Sequence, residues 1–170
     1  SSGALARWSD ASLSTLYLEV AFVLECLAPS ALHVDRFLPP TPLRAVVDHR
    51  GADATALLAE QPLQDAPSRF GKALLARADL RERILPRMLD RATHLAESRR
   101  PAIIDAARTQ MRAVLTQEMT RLIDLQKVNR LVTDREISAL RDQQDALDVH
   151  LSGARLRIDA VRLIHRGPDR

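Results

Sequence analysis

Hydrophobic residues repeat at every second position in the first third of the chain and at helical spacing afterwards, and this change of period constrains the fold most strongly. Strict alternation over residues 15–26, with aromatic and β-branched residues, predicts a long half-buried strand. Residues 43–48 alternate in the same way, and residues 3–8 predict a shorter first strand. One parity of the long strand carries Leu16, Leu18, Val20, Phe22, Leu24 and Cys26. Residues 1–50 are therefore predicted to supply strands.

Residues 68–155 carry apolar side chains at spacings of three and four, which predicts helices. Capping-box patterns at Asp79–Glu82 and Thr133–Glu136 predict the starts of two long helices. A short connection between these helices predicts an antiparallel hairpin. Pro86 and Pro101 lie inside the first helix and are expected to bend or break it, because proline removes a backbone donor.

The remaining segments are less regular. Residues 51–67 are rich in Ala, Asp and Pro and are predicted to be a connecting loop. Residues 156–165 fit a helix or a strand, and we favour a strand that returns to the N-terminal sheet. The stiff, proline-rich Phe37–Pro42 is predicted to be a structural corner rather than a ligand for aromatic grooves. The predicted fold class is α+β, with an antiparallel sheet and a long-helix antiparallel hairpin in one module over residues 1–170.

Composition excludes several classes of protein. Aromatic residues make up 3% of the chain, so a base-stacking nucleic-acid platform is not expected. The single Cys26 excludes an internal disulfide and a cysteine-rich zinc site. No apolar run approaches the roughly 18 residues that suggest a membrane-spanning helix, and no signal-peptide pattern is present. The chain begins at Ser1 without Met, so we expect a fragment of a longer protein.

The sequence lacks the common catalytic motifs. It contains no phosphate-binding G-x-x-x-x-G-K-[S/T] loop, no G-x-G-x-x-G pattern and no G-x-S-x-G elbow. Cys26 lies on the apolar parity of its strand, which predicts a buried, inert thiol. Glu19 and Glu25 are about 20 Å apart along that strand, too far for an acid–base pair. We therefore expect no catalytic residue, no cofactor and no metal site. The histidines, at no metal-ligand spacing, are His33, His49, His94, His150 and His165.

Charge is unevenly distributed, with a net charge of −4 over residues 1–67 and +7 over residues 68–130. The basic segment points to an acidic partner, either nucleic acid or protein. Cationic side chains there follow one helix face and can clamp phosphates or carboxylates. The candidate partner-binding residues, here called the candidate ridge, are Arg83, Arg87, Arg91, His94, Arg99 and Arg100. The alternative is a solvated helix face, since Glu82, Asp90 and Glu97 dilute the charge.

Three segments together resemble a known family. The first runs from Val23 to Asp48 and includes the R-F-L-P-P-T-P stretch Arg36–Pro42; the others are residues 104–137 and 156–164. In this order they resemble the C-terminal region of the RapA (HepA) family of bacterial RNA-polymerase-associated Swi/Snf-type ATPases. The match runs from about residue 13 to 165. Departures from the family pattern are Pro86, Pro101 and residues 51–67.

The resemblance implies that the parent protein is an ATP-driven translocase that binds core RNA polymerase and helps to recycle it in the bacterial cytoplasm, associated with the nucleoid. ATP and Mg²⁺ would be bound by upstream lobes, whose motifs are absent here. This chain would be a non-catalytic C-terminal module that docks on polymerase or on the parent's other domains, or regulates the motor. The alternatives are a nucleic-acid-binding module using the basic region and a hairpin that self-associates into a homodimer.

Overall fold

The computed structural model describes residues 2–9, 14–66 and 68–167. The strands are β1 (Ser2–Ser9), β2 (Thr15–Glu25), β3 (Thr41–Asp48), β4 (Gln64–Asp65) and β5 (Arg155–Gly167). The helices are α1 (Ser68–Leu75), α2 (Leu85–Val128) and α3 (Asp134–Ser152). A π-helical segment, Leu80–Ile84, precedes α2, and two 3-10 turns, Ser30–Leu32 and Val34–Arg36, lie between β2 and β3.

Internal contacts group the chain into two compact units. The sheet unit comprises Ser1–Val23, Pro42–Arg99 and Leu156–Arg170. The hairpin unit comprises Leu24–Thr41 and Arg100–Arg155. That residues 1–170 act as a single module stays a prediction.

The five strands form one sheet in the order β3-β2-β5-β1-β4. β1 pairs in parallel with β5, from Ser2 opposite Ala160 to Ser9 opposite Gly167, and antiparallel with β4. The predicted α+β class and the predicted last strand are confirmed. The sheet is mixed, however, and not purely antiparallel. Parallel pairing of β1 and β5 needs a long crossover, which nearly the whole intervening chain supplies.

One face of the sheet is buried beneath the first part of α2. Met88, Ala92 and Ala96 recur at every fourth position of α2, which places them on one helix face. Together with Leu18, Val20 and Phe22 of β2 they belong to one buried cluster, which also contains Ala45, Val47 and Leu163. Two of the three helix residues are alanines, so the helix backbone can approach the strands closely.

The opposite face of the sheet is also buried. The alternate strand residues Tyr17, Val46 and Ile164 belong to a second cluster, together with Ala54 and Leu58 of the segment predicted to be a loop. That segment is more ordered than expected: it contains β4 and an isolated bridge between Asp53 and Val47. Residues 54–63 thus cover Tyr17 of β2, whereas Glu19, Ala21 and Val23 on the same face are only partly buried, so the predicted half-buried strand is confirmed.

Glu19 connects three neighbouring strands through its carboxylate. Arg44 of β3 donates its Nε–H to Glu19 Oε1, and Arg162 Nε of β5 lies 3.5 Å from Glu19 Oε2. The Glu19 side chain is only 15% exposed, so solvent screens these contacts weakly. Glu19, which lies too far from Glu25 to form an acid–base pair, thus has a structural role.

α2 passes through Pro101 without interruption, so the expected break does not occur there. Pro101 costs one backbone hydrogen bond, but buried positions on both sides of it, such as Ala96 and Ile104, favour a continuous helix. Pro86 is the second residue of α2 and follows the π-helical segment, where the Leu85 N–H bonds to the Leu80 carbonyl.

The two predicted capping boxes have different outcomes. At Thr133 both hydrogen bonds of the box form, with Glu136 as the reciprocal partner, so that box is confirmed. Asp79 makes no side-chain capping bond, and its carboxylate instead accepts hydrogen bonds from Arg77. The ion pair with Arg77 takes the oxygens that a cap would use.

The hairpin unit pairs the later part of α2 with α3. Arg108 donates to Asp148, and Gln126 donates to Asp134. The sequence separation between paired residues thus decreases towards the connection, as in an antiparallel hairpin. α3 also contacts both 3-10 turns. Phe37, just after the second turn, is buried, as the predicted corner requires. The fully buried residues of the two helices include Met111, Leu115, Leu147 and Leu151.

We expect Ala92→Leu to lower the free energy of unfolding by about 1–3 kcal/mol, because the added carbons must fit between α2 and β2. Urea denaturation followed by circular dichroism measures this change. Ala113→Leu is the matched control, since Ala113 is exposed on the same helix, and it should change stability by less than about 0.5 kcal/mol. Equal effects of the two variants would contradict the packing described here.

Candidate partner-binding surface

The six residues of the candidate ridge lie on two helical segments and belong to both compact units. Arg83 lies in the π-helical segment, and Arg87, Arg91, His94 and Arg99 lie on α2 within the sheet unit. Arg100 belongs to the hairpin unit. Within the described part of the chain, Arg83, Arg87 and His94 are exposed and make no hydrogen bond or ion pair with another side chain or with the backbone. These three side chains face solvent.

The other three ridge residues bind backbone carbonyls. Arg91 Nε donates to the Gly51 carbonyl at 3.1 Å, and Arg99 Nη1 donates to the Arg44 carbonyl at 3.0 Å. In the hairpin unit, Arg100 Nη1 donates to the Ala154 carbonyl at 3.3 Å. Arg91, Arg99 and Arg100 therefore help to hold the fold, which the sequence pattern did not indicate.

Arg87 and Arg91 line a cleft of about 290 Å³ with residues that directly follow β3. The cleft, here called the basic cleft, is lined by His49, Arg50, Gly51, Arg87, Met88 and Arg91. The helical spacing of the sequence identified the two α2 arginines, but the pattern of the strand over residues 43–48 did not indicate that the residues after it join them. The available signal in the sequence was Arg50, which stands next to Gly51 in the turn after β3.

The turn after β3 is held in place by Asp48. Its Oδ1 accepts the backbone N–H groups of Arg50 at 2.8 Å and Ala52 at 2.9 Å. Gly51 has φ +87°, a conformation that favours glycine because a side chain there would be strained. The turn is thus fixed by its own hydrogen bonds before any ligand is present.

Asp53 lies close enough to the ridge arginines to respond to their charge. Hydrogen bonds from the Thr55 hydroxyl and backbone N–H lower the pKa of Asp53 most, and the positive charges of Arg99 and Arg91 lower it further. Both Thr55 bonds go to Asp53 Oδ1, at 2.6 and 2.9 Å. The Asp53 carboxylate is therefore ionised at neutral pH and already engaged by Thr55.

Cys26 is half-buried rather than fully buried. Its Sγ donates to the His150 carbonyl at 3.1 Å. Burial, followed by the negative charge of Asp35, raises the pKa of the Cys26 thiol. A protonated thiol is a poor nucleophile, which agrees with the inert cysteine that the sequence predicts.

Ser14 and His165 lie together at a second cleft of about 230 Å³, with Ser14 Oγ 3.1 Å from His165 Nε2. Burial lowers the pKa of His165, and the positive charge of Arg7 lowers it further. A catalytic serine–histidine pair instead needs a carboxylate that stabilises the imidazolium. Among the described residues, the charge that acts on His165 is that of Arg7, which disfavours the imidazolium that such a pair would form.

Among the described residues, no three side chains of His, Cys, Asp or Glu come together as metal ligands. No helix in the described ranges has the apolar length that crossing a bilayer requires.

Comparison with known proteins identifies the family. A family model described as "RNA polymerase recycling family C-terminal" (RapA C-terminal) matches residues 1–165. The chain belongs to this family. The resemblance inferred from the R-F-L-P-P-T-P stretch and the two later segments is therefore confirmed. The RapA C-terminal match includes β1–β4, all three helices and most of β5.

Curated relatives agree with this assignment. The chain is 35% identical over 154 residues to the RNA polymerase-associated protein RapA of Stutzerimonas stutzeri, covering 90% of this chain and 16% of the relative. It is 34% identical to RapA of Sodalis glossinidius and 32% identical to RapA of Serratia proteamaculans, with 89% and 16% covered in both. The chain thus spans about one sixth of these relatives and corresponds to their C-terminal domain.

Asp148 gives the hairpin unit a pH dependence. Hydrogen bonds from Arg108 lower the pKa of Asp148 most, and those from Arg112 lower it further. A carboxylate whose pKa is lowered by folding stabilises the fold above its unfolded pKa of about 4, and that contribution is lost as pH falls through the lowered value. Two guanidinium groups therefore hold α2 against α3 only while Asp148 is ionised.

We expect Asp148→Asn to lower the free energy of unfolding at pH 7, and the difference from wild type to shrink as pH falls towards about 2. Urea denaturation at a series of pH values measures both effects. Asp145→Asn, at an exposed position of the same helix, is the control and should leave stability nearly unchanged throughout. A difference for Asp148→Asn that is independent of pH would argue against the ion pair.

Proposed function

We propose that this domain is a non-catalytic docking module of a RapA-like, ATP-driven translocase, which attaches the motor to core RNA polymerase in the bacterial cytoplasm. The family match over residues 1–165 carries the proposal. The names of the relatives describe association with RNA polymerase, and this chain corresponds to only their C-terminal part. ATP and Mg²⁺ would be bound by the ATPase domains of the parent.

Exposed apolar side chains at the α2–α3 connection support docking. Val128 is 83% exposed and Leu131 is 84% exposed, at the end of α2 and in the connection that follows. Leu125, in the last turn of α2, is 42% exposed. Exposed apolar side chains that cluster at one site are typical of contact surfaces. We call Leu125, Val128 and Leu131 the hairpin tip and propose that it contacts polymerase.

We expect the isolated chain to bind core RNA polymerase, and the double variant Val128→Asp/Leu131→Asp to weaken binding at least tenfold, because it places charges in an apolar contact. Biolayer interferometry with immobilised chain measures the affinity. Val149→Asp is the matched control, since Val149 is 70% exposed on α3 outside the tip, and it should change the affinity less than twofold.

A second arm of the same experiment uses the remaining domains of the parent protein instead of polymerase. Binding to those domains alone would move the docking partner from polymerase to the motor. Binding to neither partner would reject the docking role. Light scattering over a dilution series, run on the same samples, tests the homodimer that the sequence offered as an alternative.

We expect the purified chain to hydrolyse ATP no faster than a buffer blank, because its sequence has no phosphate-binding loop. A coupled phosphate-release assay with Mg²⁺ and ATP measures turnover, and the ATPase domains of the parent serve as the positive control. Turnover that follows the chain through successive purification steps would contradict the assignment of a non-catalytic role.

A further inference from the structure

The basic cleft collects positive charge from two separate elements. Arg50 comes from the turn after β3, and Arg87 and Arg91 come from successive turns of α2. His49 adds an imidazole ring to the lining. None of the lining residues is acidic. Three guanidinium groups converge on one cleft within the sheet unit, although Arg50 is separated from the nearer helix arginine by more than thirty residues.

The cleft is preorganised. The Arg91 side chain connects α2 to the turn through its bond to the Gly51 carbonyl. The Asp48 carboxylate fixes the turn from its other side by binding backbone N–H groups. Met88, which is buried, forms the apolar base of the cleft. Binding an anion here would require little ordering of the backbone, which reduces the entropic cost.

The carboxylates of Asp48 and Asp53 do not line the cleft, although the charge of Asp53 acts on Arg91. Asp48 uses Oδ1 for two backbone N–H groups, and Asp53 uses Oδ1 for Thr55. Arg50 and Arg87 are exposed and make no side-chain hydrogen bond or ion pair with any described residue. Their guanidinium groups present planar sets of N–H donors that suit the oxygens of phosphate.

The arginine row favours a polymer over a single small anion. Arg87 and Arg91 are about 6 Å apart along the axis of α2, and Arg83 precedes them by four residues in the π-helical segment. Such a row can follow regularly spaced phosphates beyond the cleft itself. Apart from the imidazole of His49, the cleft lining contains no aromatic side chain on which a base could stack. Contacts would therefore go to the phosphodiester backbone, without selection of base sequence.

We propose that the basic cleft binds the phosphate groups of a nucleic-acid backbone without reading its sequence. This role goes beyond docking and does not depend on it. Arg50 and Arg87 supply the charge that contacts phosphate. Arg91 holds the turn in place, and Arg83 extends the row.

The test measures fluorescence anisotropy of the full chain with fluorescein-labelled 20-nucleotide RNA and 20-base-pair DNA, at several KCl concentrations. We expect Arg50→Ala/Arg87→Ala to weaken DNA binding at least tenfold at low salt. The slope of log affinity against log salt should become shallower by about 2, since each lost phosphate contact contributes about 0.9. Changing the base sequence of the probe should alter affinity less than twofold.

Arg121→Ala/Arg141→Ala is the matched control, because it removes the same charge from exposed positions of the hairpin unit. It should change affinity less than twofold. Arg50→Lys/Arg87→Lys, which keeps the charge, should retain most of the binding. Thermal melting of each variant checks that the fold is preserved. If Arg50→Ala/Arg87→Ala unfolds, the single variant Arg87→Ala is measured in its place.

Three results would overturn the proposal. The first is no binding of either nucleic acid by the wild-type chain at low salt. The second is equal weakening by the cleft and control variants, which would mean that net charge alone matters. The third is equally tight, equally cleft-dependent binding of fluorescein-labelled polyglutamate, which would assign the cleft to an acidic protein surface. Polymerase binding, measured separately, is unaffected by any of these results.

Discussion

The close contact between β2 and the first part of α2 determines the arrangement of the sheet unit. Ala92 and Ala96 allow the helix backbone to approach the apolar side chains of β2, with Met88 at one end of the same row. Because this face of α2 must point at the sheet, the intervening arginines are directed elsewhere. Arg91 reaches the turn after β3, and Arg87 lines the cleft beside it. The position of the charged surface thus follows from apolar packing.

Local pattern was sufficient to predict most elements. Alternation over residues 15–26 predicted β2, the helical stripe predicted α2 and α3, and Thr133–Glu136 predicted the start of α3. The parallel pairing of β1 with β5 could not be predicted in this way, because it joins segments about 150 residues apart. Nor does periodicity reveal that residues 54–63 cover the second face of the sheet. Both features depend on contacts between distant segments.

The candidate surface illustrates the same limit. Helical spacing correctly grouped Arg87 and Arg91 on α2, but it could not indicate that Arg50 lies beside them. It also gave no sign that Arg99 and Arg100 are used to bind backbone carbonyls. Pro101 shows a different limit. Proline has a strong local preference for breaking a helix, but packing on both sides of Pro101 outweighs it. Residue type predicts chemistry well, whereas the availability of a side chain depends on the tertiary fold.

The strand order has a consequence for how this domain forms during translation. β5, the central strand of the sheet, is the last of the described elements to leave the ribosome. Until it emerges, β2 and β3 on one side and β1 and β4 on the other have no strand between them. The nascent chain must therefore carry two incomplete half-sheets, with open hydrogen-bonding edges, until β5 is available to join them.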